Sequence, residues 1–340
     1  MSDNNPIQLH ITMLGARGVG KTSLLASVYS EFERRTSELY LQLNPDFATS
    51  NELNDRLAAL QSSLEDHIVT GPSNTGDMRT FEFGVGLPFK TPDVNLTFRD
   101  YPGAWITSDP QSVTEFIRSS DVIIWAIDTA ALKTNKGQYS ESINSVGKIT
   151  EFFKHALQNL PEAEKKLILL VPMKCETWLT FPSYPNIHEI KTLRTLIEDK
   201  WGNLINLIKN IDPGAERFAV ALTPVQTLGK VKYAFTDDSD PVNPKFVFTR
   251  TTKDHPYQPM HVEQILNYSL AFLLRRYMSI KEEQMGMMDW LVYRIQELFG
   301  NDPNAHFGNA VMDLVRKQCR DEGQGFKILH GRNLLDPPSK

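Results

Sequence analysis

The sequence predicts a three-layer α/β domain. A mostly parallel sheet with one antiparallel edge strand is expected between helices, with a small helical appendage at the C-terminus. Three observations predict it. A glycine-rich turn, LGARGVGKTSLLASVY at Leu14–Tyr29, joins a strand pattern to a helix pattern. Apolar runs of strand length recur along the chain, separated by stretches at helical spacing. Two alternating segments with a short connection, RTFEFGVGL and VNLTFRD, read as an antiparallel hairpin.

The first strand is Gln8–Leu14, which alternates polar and apolar residues and then turns apolar. Leu24, Leu25, Val28, Tyr29 and Phe32 recur at helical spacing after the turn. Between them, Gly15, Gly20, Lys21 and Thr22 fit G-x-x-x-x-G-K-[ST] in the required strand–turn–helix context. Glycines without side chains let main-chain N–H groups curl round an anion at a helix N-terminus. The expected phosphate cradle is Gly15, Gly18, Val19, Gly20, Lys21, Thr22 and Ser23. Lys21 is expected to reach the outer phosphates and the Thr22 hydroxyl to ligate Mg²⁺.

Bulk properties narrow the field. The chain has 340 residues, 41% hydrophobic, with a net charge of -5. An acidic balance argues against nonspecific nucleic-acid binding. Cys175 and Cys319 are the two cysteines, so a disulfide framework is not expected and a reducing cytoplasm fits. The N-terminal MSDNNPIQLH lacks a signal-peptide pattern, and no apolar run reaches the ~18 residues of a membrane span.

The hairpin's second strand, Val94–Asp100, ends in Asp100-Tyr101-Pro102-Gly103, a D-x-x-G. Asp100 is expected to hold Mg²⁺ through water, and the Gly103 N–H to bond a γ-phosphate. Asp199–Gly202 repeats the pattern inside an amphipathic helix without a preceding strand, and is read as a decoy. With the hairpin lying between the glycine-rich turn and D-x-x-G, the chain resembles the Ras-like, translation-factor-related P-loop GTPases. The apolar run Asp121–Asp128 then reads as a central strand, and about Ser142–Leu160 as a helix. A further strand, Leu167–Val171, leads to Met173-Lys174-Cys175-Glu176. The resemblance implies that this loop reads guanine, where relatives carry N/T-K-x-D. Lys174 would cover the base and Glu176 accept from its N–H groups. Met173 replaces the family's amide or hydroxyl, so ATP stays open as the alternative. Asn135-Lys136-Gly137-Gln138 lacks the acid and follows a polar loop, a second decoy. After the last strand, Arg217–Pro224, the residues Thr223, Pro224 and Val225 stand at the loop that closes on the base.

Lys21 and Asp100 are further apart than in a minimal relative. The insertion carries Leu53, Leu57, Leu60, Leu64 and Ile68 on one helix face, with Ser50 or Asn51 as the expected N-cap. The resemblance implies a switch threonine on Mg²⁺ and the γ-phosphate; Thr75 is the first choice, Thr80 the reserve, and Thr70 a third option. Ala104 stands where a water-positioning glutamine often follows D-x-x-G. Arg17, inside the loop, is the candidate for neutralising charge on the phosphates; a solvent-facing role is the alternative.

Residues 1–280 are expected to form the nucleotide domain, with a helical insertion at about 45–70 and a hairpin insertion at about 229–250. A helix at about 261–278 closes it, and helices are expected over 285–300 and 309–319 within a C-terminal unit at 281–330, before a flexible tail at 331–340. The implied function is a cytoplasmic GTP-binding protein that hydrolyses GTP with Mg²⁺ as a regulatory or mechanochemical switch. An ATPase on the same scaffold, or a nucleotide-binding interaction module with little turnover, are the alternatives. A protein effector or a second copy is the expected partner, through the switch regions or the C-terminal helices, with no nucleic acid and no membrane span.

Overall fold

The computed structural model describes residues 6–39, 41–64, 68–69, 77–158, 160–180, 184–240, 244–251, 257–284 and 303–336. Thr70, Thr75 and the helix expected over 285–300 lie outside the described residues.

Strand β1 (Ile7–Leu14) enters the glycine-rich turn and α1 (Lys21–Leu39) leaves it. A short strand β2 (Gln42–Pro45) and helix α2 (Phe47–Ser63) follow, then β3 (Ile68–Val69). Asp46, rather than Ser50 or Asn51, caps α2 by accepting from the Thr49 N–H. The helix therefore starts earlier than its leucine stripe indicates. Of that stripe Leu53, Leu60 and Leu64 are buried, while Ile68 belongs to β3.

Strands β4 (Arg79–Gly86) and β5 (Val94–Asp100) form the expected antiparallel hairpin, with Arg79 opposite Asp100. Two short helices, α3 (Trp105–Ser108) and α4 (Pro110–Ser119), lead to β6 (Val122–Asp128). The helical stretch read as continuous from Ser142 breaks instead into α6 (Ser140–Asn144) and α7 (Val146–Leu157), after α5 (Thr129–Lys133). Ser145, at φ 50°, is the break. Next come β7 (Lys166–Met173), α8 (Glu176–Thr180), α9 (Ile187–Lys200), α10 (Gly202–Ile211) and β8 (Phe218–Leu222). Asp199 sits in α9 and Gly202 opens α10, so the second D-x-x-G spans the junction of two helices rather than lying inside one.

The main sheet has the order β11-β8-β7-β6-β1-β5-β4-β2, where β11 is Lys327–His330. Strands β5, β1, β6, β7 and β8 are parallel; β4 and β11 run against their neighbours. The antiparallel strand β4 is itself covered by β2, which forms that edge. Parallel strands are buried on both faces, so β6 and β7 are buried throughout, and apolar apart from Asp128 at the end of one and Lys166 at the start of the other. Val122, Ile124 and Ala126 join the core with α1, α2, α11 (Gln264–Gln284) and α12 (Pro303–Arg316). Ile123, Trp125 and Ile127 join the opposite core with α4, α7, α9 and α10. Those are the three layers.

A second, three-stranded sheet has the order β3-β10-β9, built by β9 (Val231–Asp237) and β10 (Lys245–Arg250) with β3. The two insertions expected separately thus meet in one sheet.

The C-terminal segment differs from its expectation. Helix α12 packs on α11, but the chain then returns as β11 to extend the main sheet beside β8. Residues 331–336, expected to open a flexible tail, instead form a short turn whose Leu334 and Leu335 are buried in the core. Apolar side chains there outweigh the turn-like composition that suggested disorder.

Candidate functional site

The site lies at the C-terminal ends of the parallel strands, where a doubly wound sheet opens a crevice. At Gly15 φ is 146°, and an added Cβ would stand 2.9 Å from the Ala126 carbonyl oxygen. The turn can run this close to β6 only without a side chain. Lys21 is buried and donates to the Gly15 carbonyl at 3.1 Å, folding its ammonium back over the loop. The Thr22 hydroxyl donates to Asp100 Oδ2 at 2.5 Å. Asp100 Oδ1 stands 3.7 Å from the Lys21 ammonium and makes no hydrogen bond among the described residues. Burial lowers the Lys21 pKa, and the Asp100 charge opposes that shift.

The D-x-x-G loop presses on the cradle. A Cβ at Gly103 would lie 2.1 Å from the Arg17 nitrogen. Tyr101 is wholly buried and stacks on Trp105 and Phe116, and the Lys21 ammonium lies 5.6 Å from its ring centre. Its phenol is pushed up by burial and by the Asp100 charge. Ala104 precedes α3 and brings no polar side chain. Arg17 is exposed. Thr80 lies in β4 opposite Arg99 and is also exposed.

On the other side of the cradle, Lys174 adopts φ 57°, an uncommon conformation for a side-chain-bearing residue. Its ammonium donates to the Gly18 carbonyl at 3.1 Å and to Asp128 Oδ2 at 2.6 Å. Asp128 Oδ1 caps α5 through the Ala131 N–H. One carboxylate therefore fixes both the lysine and the helix after β6. The Met173 methyl meets the space above Gly20, at 3.4 Å from where a Cβ would be. Glu176 is buried, and its Oε1 accepts from the Thr227 and Leu228 N–H groups at 2.9 and 3.0 Å. Burial raises its pKa, and the N–H donors of Leu228, Glu176 and Thr227 oppose the rise. Thr227–Leu228, rather than Thr223–Val225, is the stretch of the last loop that Glu176 grips.

The second sheet roofs this end. Phe246 lies 5.9 Å from the Lys174 ammonium, Trp178 stacks on Tyr233, and the Tyr233 N–H donates to Thr177 Oγ1. Leu64, just past α2, packs with Ala130, Trp178, Val231 and Phe248.

Residues 9–203 match the family model described as Double-GTPase 2, over more than half of the chain. The chain belongs to the Double-GTPase 2 family. It is a P-loop GTPase and thus a GTP-binding protein. Two solved structures are similar: the S. cerevisiae Ski7 GTPase-like domain bound to GTP, and the same domain bound to GDP and inorganic phosphate. They are 18% and 16% identical, with TM-scores of 0.35 and 0.33, and cover 67% and 66% of this chain. The match spans 44% of each of those chains, less than half their length. The comparison with curated proteins gives no match.

The oxygen set of this Double-GTPase 2 chain fits Mg²⁺. A hydroxyl and a carboxylate meet, and among the described residues the buried Oδ1 of Asp100 has no hydrogen-bond partner, a place that a cation or its water would fill. Lys21, Thr22 and Asp100 come together, Gly103 lies against Arg17, and Lys174 reaches the cradle at Gly18, while Glu176 is held by Thr227 and Leu228. Sequence reasoning missed Asp128 and the Thr227–Leu228 pair. Asp128 had a signal, an acid closing an apolar strand; the pair of main-chain donors had none, because any residue supplies an N–H.

Proposed function

We propose that this protein binds GTP with Mg²⁺ in the Gly15–Ser23 cradle, hydrolyses it, and uses the change as a regulatory or mechanochemical switch. The observation that carries the reading is the convergence of Lys21, Thr22 and Asp100, with the unsatisfied Asp100 Oδ1 at its centre. Mg²⁺, held by Thr22 and Asp100 with Thr75 as the proposed third ligand, would neutralise charge on the β- and γ-phosphate oxygens. The N–H groups of Gly15, Gly18, Val19, Gly20, Thr22 and Ser23 would cradle the phosphates, with the Lys21 ammonium on the outer ones. The Gly103 N–H would sense the γ-phosphate: the loop now lies on the cradle, and a triphosphate would reposition it. Arg17 would add positive charge at the same end. Lys174, pinned by Gly18 and Asp128, would present its stem to the base. Glu176 would read guanine through Oε2, since Oε1 is engaged by the loop. An effector or a second copy would then recognise the switch regions or the C-terminal helices.

A second reading, ATP on the same scaffold, is favoured by Met173 at Gly20 and by the buried, upward-shifted Glu176. Ala104 favours a third, nucleotide binding with little turnover. Fluorescent GTP and ATP analogues separate the first two, with and without Mg²⁺, on wild type, Lys21→Ala and Glu176→Ala. Lys21→Ala is expected to abolish binding of both; Glu176→Ala is expected to lower guanine preference and spare phosphate affinity. Unchanged base preference in Glu176→Ala defeats the guanine assignment. Phosphate release over many turnovers separates the first reading from the third.

A further inference from the structure

Helix α2 reaches across the site. At its start the Thr49 hydroxyl accepts from the Glu82 N–H of β4 at 3.0 Å. One turn on, Glu52 pairs with Arg79, the residue directly opposite Asp100 in the hairpin. One further turn on, at helical i+4 spacing from Glu52, stands Arg56. Beyond it, Leu60 is buried in the core and Leu64 packs under the second sheet at the base end. The helix is thus anchored at both ends of the site, with Arg56 between the anchors. Arg56 is half-buried and lies within electrostatic reach of Asp100: burial lowers its pKa, and the Asp100 carboxylate opposes the shift. Arg17, in contrast, is exposed.

We propose that Arg56, carried by the inserted helix α2, is a γ-phosphate-binding residue that enters the site in cis. This rests on the reading of the site as a GTP–Mg²⁺ site. A guanidinium within electrostatic reach of the carboxylate proposed to face Mg²⁺ would meet the outermost phosphate oxygens when a triphosphate fills the cradle. Its planar donors suit a phosphate edge better than a point charge does. The diphosphate offers no oxygens at that place, so the contact discriminates GTP from GDP. It also couples α2, and with it the second sheet, to the state of the nucleotide.

The test is the ratio of affinities for mant-GTPγS and mant-GDP, with Mg²⁺, on the full chain. Arg56→Gln and Arg56→Lys are the variants, and thermal melting is followed for each. Arg56→Gln is expected to lower the ratio by ~10–100-fold, the range for hydrogen bonds to charged groups. Affinity for mant-GDP and the melting temperature should hold, and Arg56→Lys should recover part of the ratio. An unchanged ratio in Arg56→Gln overturns the proposal. So does a loss of both nucleotides together with a lowered melting temperature in both variants, which marks a structural residue. If wild type binds neither analogue, the GTP–Mg²⁺ reading itself fails, and that outcome is distinct from the other two.

Discussion

Gly103 and Glu176 show how much single residues decide at this site. Gly103 has no room for a methyl group against the Arg17 main chain. Gly103→Ala is expected to push the D-x-x-G loop off the cradle at a cost of ~1–3 kcal/mol, the usual penalty of overpacking. Denaturant unfolding measures that cost, and GTP turnover should fall with it. Glu176 is a buried carboxyl whose pKa lies above the ordinary 4.5. Below its pKa it is neutral and could not accept from guanine N–H groups as proposed; above it the carboxylate can. Preference for GTP over ATP should therefore decline on acidification at a pH above 4.5, and should lose that pH dependence in Glu176→Ala. A pH-independent preference in wild type would argue that another group reads the base. Cys175, next to it, is buried, and burial drives its thiol pKa upward.

Asp128 joins elements. It ends β6, caps α5 and holds Lys174 against the Gly18 carbonyl, so strand, helix and the Lys174 loop share one carboxylate. Asp128→Ala removes an N-cap, worth ~0.5–2 kcal/mol, and takes the carboxylate from the Lys174 ammonium, which keeps the Gly18 carbonyl. The expected result is a modest loss of stability and a ~10-fold or larger loss of nucleotide affinity, the scale of one charge-assisted hydrogen bond. Isothermal titration with a guanine nucleotide checks it. A loss of stability with unchanged affinity would confine Asp128 to capping. The insertion helix has a comparable joining role, since it ties β4 at one end to the second sheet at the other.

The whole molecule closes through its C-terminus. Strand β11 extends the sheet beside β8, and the following turn buries Leu334 and Leu335. Leu335→Ala is expected to cost about 2–5 kcal/mol, as other buried leucines do. A shift of the denaturation midpoint measures this; a flexible tail would show none. Among the described residues no helix is long and apolar enough to cross a membrane.

The cradle, the hairpin, D-x-x-G and the central strands were legible because each rests on local rules. Glycine spacing, period-two alternation and unbroken apolar runs report what a few neighbouring residues can do. The edge strands β2 and β11 were not legible. Each has four residues, too short for alternation to stand out, and each forms because an unsatisfied sheet edge waits for it. The cap of α2 was misplaced because a leucine stripe marks a face and not a start.

By itself, then, the sequence determined the glycine-rich turn at Gly15–Ser23 between a strand and a helix, and the acid Asp100 at the end of β5, since glycine spacing and period-two alternation are local patterns. Tertiary structure alone decided that the two insertions share one sheet over Lys174, that Thr227 and Leu228 meet Glu176, and that Leu334 and Leu335 join the core. Those contacts join positions far apart in the chain through main-chain hydrogen bonds and buried area, which leave no spacing pattern in the sequence.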